Sequence, residues 1–203
     1  MELRDALQQI SDIRQQMARS EVFRGYRAFT VGLSGVLGLL ASGLQSTWVA
    51  SPATDLARYL VLWIGVAFAS ATIAVFELSL RAKHAGPGIA RDMTRLAVEQ
   101  FTPCVIVGAL LTICIYRGAP DAGWMLPGLW ALVFSLGVFA SCRLLPPPMI
   151  WAGVYYVISG CICLRWGGGE FAFSPWQMAM TFGVGQLVCA AILYWTLERK
   201  HVA

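Results

Sequence analysis

The residues of this chain best placed to do chemistry are ionisable groups inside or bordering long apolar runs, because holding a charge at membrane depth is costly and marks function. Two carboxylates fit. Glu77 closes one such run and has Arg81 four residues on, the spacing of a helical ion pair. Glu99 opens the next run, beside Gln100 and two turns after Asp92. Brought face to face, Glu77 and Glu99 would form a polar site at the mouth of a helical bundle, with Arg81 as counter-charge. The plainer alternative pairs each acid locally, Glu77 with Arg81 and Glu99 with Arg95, at the membrane interface. Deeper in the last run lies Gln186, whose amide needs partners and is better suited to stitching helices than to binding a substrate. Ser34, Gly38 and Ser42 recur every four residues and form a small-residue face that lets helices approach closely, within the bundle or in a homodimer.

Other chemistries find no residues to carry them. The six cysteines (Cys104, Cys114, Cys142, Cys161, Cys163 and Cys189) all fall inside apolar runs, and none forms a Cys-x-x-Cys pair. They read as small apolar residues, with neither a disulfide framework nor a metal site. Both histidines, His84 and His201, lie outside the runs, so a haem held between two intramembrane histidines is excluded. The Gly86-Pro87-Gly88 turn matches neither a P-loop nor a dinucleotide fingerprint. No nucleophile motif or paired-carboxylate signature is present, and the sequence implies no cofactor and no metal.

The elements that must position these residues follow from hydropathy. Apolar residues make up 58% of the 203 and charged ones 13%, about half the share a soluble surface carries. The excess must face lipid. Crossing a bilayer takes about 20 apolar residues, and six runs qualify or nearly do, at 28–50, 59–80, 96–116, 124–142, 149–164 and 176–197. The fifth is short, so it either stands upright or thins the bilayer locally. The fold class is therefore all-α, a polytopic membrane bundle of six transmembrane helices over residues 26–200. Pro103 and Pro127 sit near the ends of their runs as packed kinks, and Pro146-Pro147-Pro148 predicts a tight extended turn.

Charge orients the bundle. Twelve of the 15 Lys and Arg residues fall on one side of the six runs and three, Arg58, Arg117 and Arg165, on the other. The positive-inside bias then places both termini in the cytoplasm. Tryptophans agree with such ends, Trp48, Trp124, Trp166 and Trp176 outside and Trp151 and Trp195 inside. The net charge of +4 is this bias summed, and no basic cluster with interleaved aromatics suggests nucleic acid.

Ahead of the first run, Leu3, Leu7, Ile10, Ile13 and Met17 share one face of an amphipathic helix within residues 1–25. It would lie on the inner leaflet or, through residues 3–20, dock a protein partner. Two functions remain open from these residues. One is an accessory, sensing or assembly protein acting through contacts, favoured by the lack of a midplane charge. The other is a small transporter or channel built around Glu77, Arg81 and Glu99.

Several short motifs recur in a recognisable order. They are an Ile-Arg-x-x-Met-x-Arg-Ser start, Leu33-Ser34-Gly35, a basic loop after the second run, Gly108 to Thr112, Pro127 to Trp130, and Phe182 to Gly185. In these the chain resembles, nearly end to end, a group of small bacterial integral membrane proteins of about 200 residues with no assigned activity. The resemblance implies a location in the bacterial inner membrane and supplies no catalytic residue. Some members of that group carry a histidine just after the glycines of the sixth span, where this chain has Gln186 to Cys189.

Overall fold

The computed structural model describes residues 28–49, 55–84, 89–142 and 145–199, with 78–84, 89–97 and 198 described by backbone alone. The amphipathic helix expected within residues 1–25 lies outside them. Every described regular element is helical, and six segments are long and apolar enough to cross a membrane. α1 is Ala28–Trp48, α2 is Leu56–His84 and α3 is Ile89–Gly118. After a short 3-10 turn at Pro120–Met125 come α4, Leu126–Ser141, and α5, Met149–Trp166. The last, α6, covers Pro175–Leu197. The six-run reading is correct, including the short fifth run, which gains two residues at its C-terminal end.

Neighbouring helices run antiparallel. Along α1, Gly32 faces Ala190 of α6, while Gly38 lies against Gly183 and Ser42 bonds to Pro175, so residue numbers rise on one helix as they fall on the other. Phe101 of α3 meets Gly137 of α4, and Thr112 of α3 meets Trp130 of α4. Gly128 and Gly160 put α4 and α5 backbone to backbone. The start of α1 and the end of α6 therefore share one side, here the terminal side; the opposite side is the distal side.

Two apolar cores fill the packed part. On the terminal side Ala28, Val31, Val138, Met149, Tyr156, Cys189 and Leu193 close around one another. On the distal side Val49, Leu56, Tyr59, Trp63, Leu126, Phe173 and Met178 do the same. Phe182 of α6 packs against both. Small residues at the crossings explain the close approach: a Cβ on Gly128 would lie 2.8 Å from the Gly160 carbonyl, and one on Gly153 would fall inside the Phe139 ring. Because lipid tails are as apolar as the side chains, this dispersion-rich contact holds membrane helices together.

Prolines behave as helix starters more than as breaks. Pro127 occupies the first turn of α4, where a missing N–H costs nothing. The extended turn expected at Pro146-Pro147-Pro148 is corrected: Pro148 has helical backbone angles, and the carbonyls of all three accept from the amides of Met149, Ile150 and Trp151. Fixed φ near −65° suits a helix entry as well as an extended segment, and here the following helix decides. Pro103 stays inside α3.

Candidate functional site

Among the described residues, side-chain hydrogen bonds are densest on the distal side, beneath the connection from α5 to α6. Its residues come from three helices. Gln45, one turn before the end of α1, is fully buried, and its amide nitrogen donates to the Phe173 carbonyl at 2.6 Å. The indole Nε1 of Trp63 in α2 donates to the oxygen of the same amide at 2.9 Å. The Ser42 hydroxyl donates to the Pro175 carbonyl at 2.7 Å. From the other side Gln177, also fully buried, donates to the carbonyls of Phe171 at 2.7 Å and Gly167 at 3.2 Å. Thr181 then donates back to the Gln177 carbonyl at 2.7 Å.

This network answers a definite need. The connection turns partly inward, with Gly167 and Phe173 buried, and the backbone carbonyls it brings against the bundle must be satisfied from within. Four carbonyls, of Gly167, Phe171, Phe173 and Pro175, are met by Gln177, Gln45 and Ser42. Tight backbone geometry accompanies it. Gly167 leaves no room for a side chain, since a Cβ there would sit 2.9 Å from the Gln177 amide nitrogen. Gly169 has φ +61, and Phe173 adopts φ 58, which a side chain rarely tolerates. The strain at Phe173 is held by the Gln45 bond and by the Tyr59 ring, edge-on at 5.0 Å. The Gln177 Oε1 atom is buried without a partner. All of these groups are neutral amides, hydroxyls and an indole, so the chemistry on offer is hydrogen bonding and not proton transfer.

The residues singled out by sequence fall elsewhere. Glu77 on α2 is half-buried, and Glu99 on α3 is exposed. Each carries an interaction of its own. Beside them the Oε1 atom of Gln100 is buried and unpartnered. Arg81 lies on the α2 backbone one turn beyond Glu77. Gln186 is half-buried on α6, two turns past Gln177. In the small-residue face of α1, Ser34 bonds to its own helix at the Val31 carbonyl, whereas Gly38 and Ser42 contact α6. Gln45 and Gln177 were missed because an amide near the end of an apolar run reads as interfacial. Only the loop folding back over the bundle buries them.

Among the described residues no three His, Cys, Asp or Glu side chains gather as metal ligands. The chain matches no known family, no curated protein and no solved structure.

Proposed function

We propose that this is a multi-pass protein of the bacterial inner membrane, with both termini in the cytoplasm, that works through contacts with other proteins as an accessory, sensing or assembly factor. The observation that supports this reading is the state of α2 and α3. Only 6% of the α3 window and 22% of the α2 window is buried, against 44% for α1 and α4. Both helices also run on into charged sequence on the terminal side, α2 to His84 and α3 from Ile89. They bring Arg81, Lys83, Arg91 and Arg95 with them, which suits a cytoplasmic contact surface.

Photo-crosslinking probes at Val75 in α2 and Val105 in α3 test it, with Met178 in the packed core as control. One discrete protein adduct from Val75 and Val105 in native membranes is expected, and lipid adducts alone would defeat the reading. Orientation has its own test. Single cysteines at Ala122 and Gly168 should react with an impermeant reagent on intact cells while those at Ser11 and Ala85 are shielded. Labelling at Ala85 reverses the assignment.

A second reading, a small transporter or channel, draws on one feature: the buried, unpartnered Gln100 amide oxygen beside Glu99. Glu77→Gln should then abolish an ion- or pH-dependent flux in proteoliposomes. Equal flux in protein-free vesicles and with both forms would dismiss it.

A further inference from the structure

The sixth helix is not a uniform α-helix. After one α turn at Pro175–Met178 it widens into a π stretch at Ala179–Val184, returns to α at Gly185–Leu193, and widens again at Tyr194–Glu198. Each π stretch houses an extra residue and frees backbone carbonyls from their usual donors, and such features gather at functional sites. Here the first is held open from outside. Tyr155 of α5 reaches across to donate its hydroxyl to the Met180 carbonyl at 2.5 Å, and Thr181 bonds back to Gln177.

Between the two π stretches the α block turns Gly185, Cys189, Ala190 and Leu193 inward. Gly185 lies against the tip of the buried Tyr156 ring: a Cβ there would be 2.7 Å from Cζ and 2.8 Å from the hydroxyl oxygen. That hydroxyl is buried and unpaired. Its polar neighbour is the Cys189 thiol, a weak partner that makes no hydrogen bond of acceptable geometry. The next residue along the block is Gln186, half-buried and holding the amide that a lone hydroxyl needs.

We infer that Gly185–Leu193 is a register cassette. The block turns by one residue, about 100° and 1.5 Å, handing the extra residue of one π stretch to the other while both ends of α6 stay in place. In the shifted register Gln186 occupies the place of Gly185, the ring tip of Tyr156 swings aside, and its hydroxyl donates to the side-chain amide oxygen Oε1 of Gln186. The Tyr155 bond to Met180 holds the register seen here. Phe182, packed on both cores, makes the shift felt at the distal loop and the terminal side alike.

Disulfide trapping in liposomes tests this in the full chain with its six cysteines replaced by alanine. Gly32→Cys with Ala190→Cys reports the present register, since a Cβ on Gly32 lies 3.5 Å from that of Ala190, within the spacing of a disulfide. Gly32→Cys with Ala191→Cys reports the shifted one. Adding Tyr155→Phe should raise the 32–191 yield at least threefold relative to 32–190, and adding Gln186→Leu as well should return it to the starting ratio. An unchanged ratio across the three backgrounds overturns the cassette. If Tyr155→Phe does not fold, Gln186→Leu alone should lower the basal 32–191 yield, and an unaltered yield overturns the proposal equally.

Discussion

The α1–α4–α5–α6 block and the α2–α3 pair are built from equally apolar sequence yet hold together in different ways. In the block, glycines sit where backbones touch, and buried amides tie a loop to the helices beneath it. In the pair, past Trp63, the last buried residue of α2 among those described, Phe68 and Phe76 are 74% and 65% exposed, and Gly65 and Gly108 have nothing within 4 Å of an added Cβ. α3 is attached to α4 by a narrow seam, where Phe101 meets Phe134 edge-on and Trp130 donates to the Thr112 hydroxyl at 2.9 Å. The difference teaches that hydropathy fixes which residues enter the membrane but not which of them find protein there. Small residues and buried hydrogen bonds mark the second group.

The sharpest way to break this contrast is a large residue at a glycine crossing. Gly128→Leu drives a side chain into Gly160 and Leu164, so it should cost about 3 kcal/mol or more, beyond ordinary overpacking because backbone opposes backbone. Gly108→Leu, in open space on α3, should leave stability unchanged or slightly higher. Thermal unfolding in nanodiscs compares them, and equal losses would erase the distinction between block and pair.

Next in size is Gln177→Leu, which strands the Gly167 and Phe171 carbonyls. We expect about 2–4 kcal/mol, from about 1–3 for each buried group left unpaired. Gln186→Leu, by contrast, should change global stability by less than about 1 kcal/mol. A Gln177→Leu variant as stable as the parent would mean that the loop carbonyls are satisfied by other means.

Trp130→Phe removes one interhelical bond and should cost about 0.5–1.5 kcal/mol. It should also loosen α3 selectively, read as faster amide exchange over Val98–Gly118 with α5 unaffected. Smallest of all is Phe76→Ala on the open face of α2, expected within about 0.5 kcal/mol in lipid. A large loss there would show that this face is covered in the isolated protein.

Particular residues show how far sequence reaches. Run length and polar breaks locate all six helices, and the third starts at Ile89, seven residues before its apolar run. The small-residue periodicity of α1 is visible too, yet the glycine nearest α6 is Gly35, the residue after Ser34, where a Cβ would lie 2.9 Å from the Gly183 carbonyl. A four-residue repeat drifts around a helix of 3.6 residues per turn, so it names a stripe and not its centre. Gln45 and Gln177 look like interfacial amides until Phe173 and the Gly167–Ser174 connection fold over them. Nor does anything in Ala179–Val184 announce a π stretch, because part of its support comes from Tyr155, a residue of another helix.

The sequence by itself determined the all-helical class and the number and approximate places of the six helices long and apolar enough to cross a membrane. These depend on composition and on one-dimensional spacing, which transfer into lipid reads residue by residue. The tertiary structure alone decided which helix meets which, that α3 is held on one edge while α6 touches α1, α4 and α5, and where the buried polar groups find partners. Those outcomes depend on shape complementarity and on hydrogen bonds between residues as far apart as Gln45 and Phe173. No local pattern encodes them, because each carbonyl is satisfied by whichever donor the completed fold brings near.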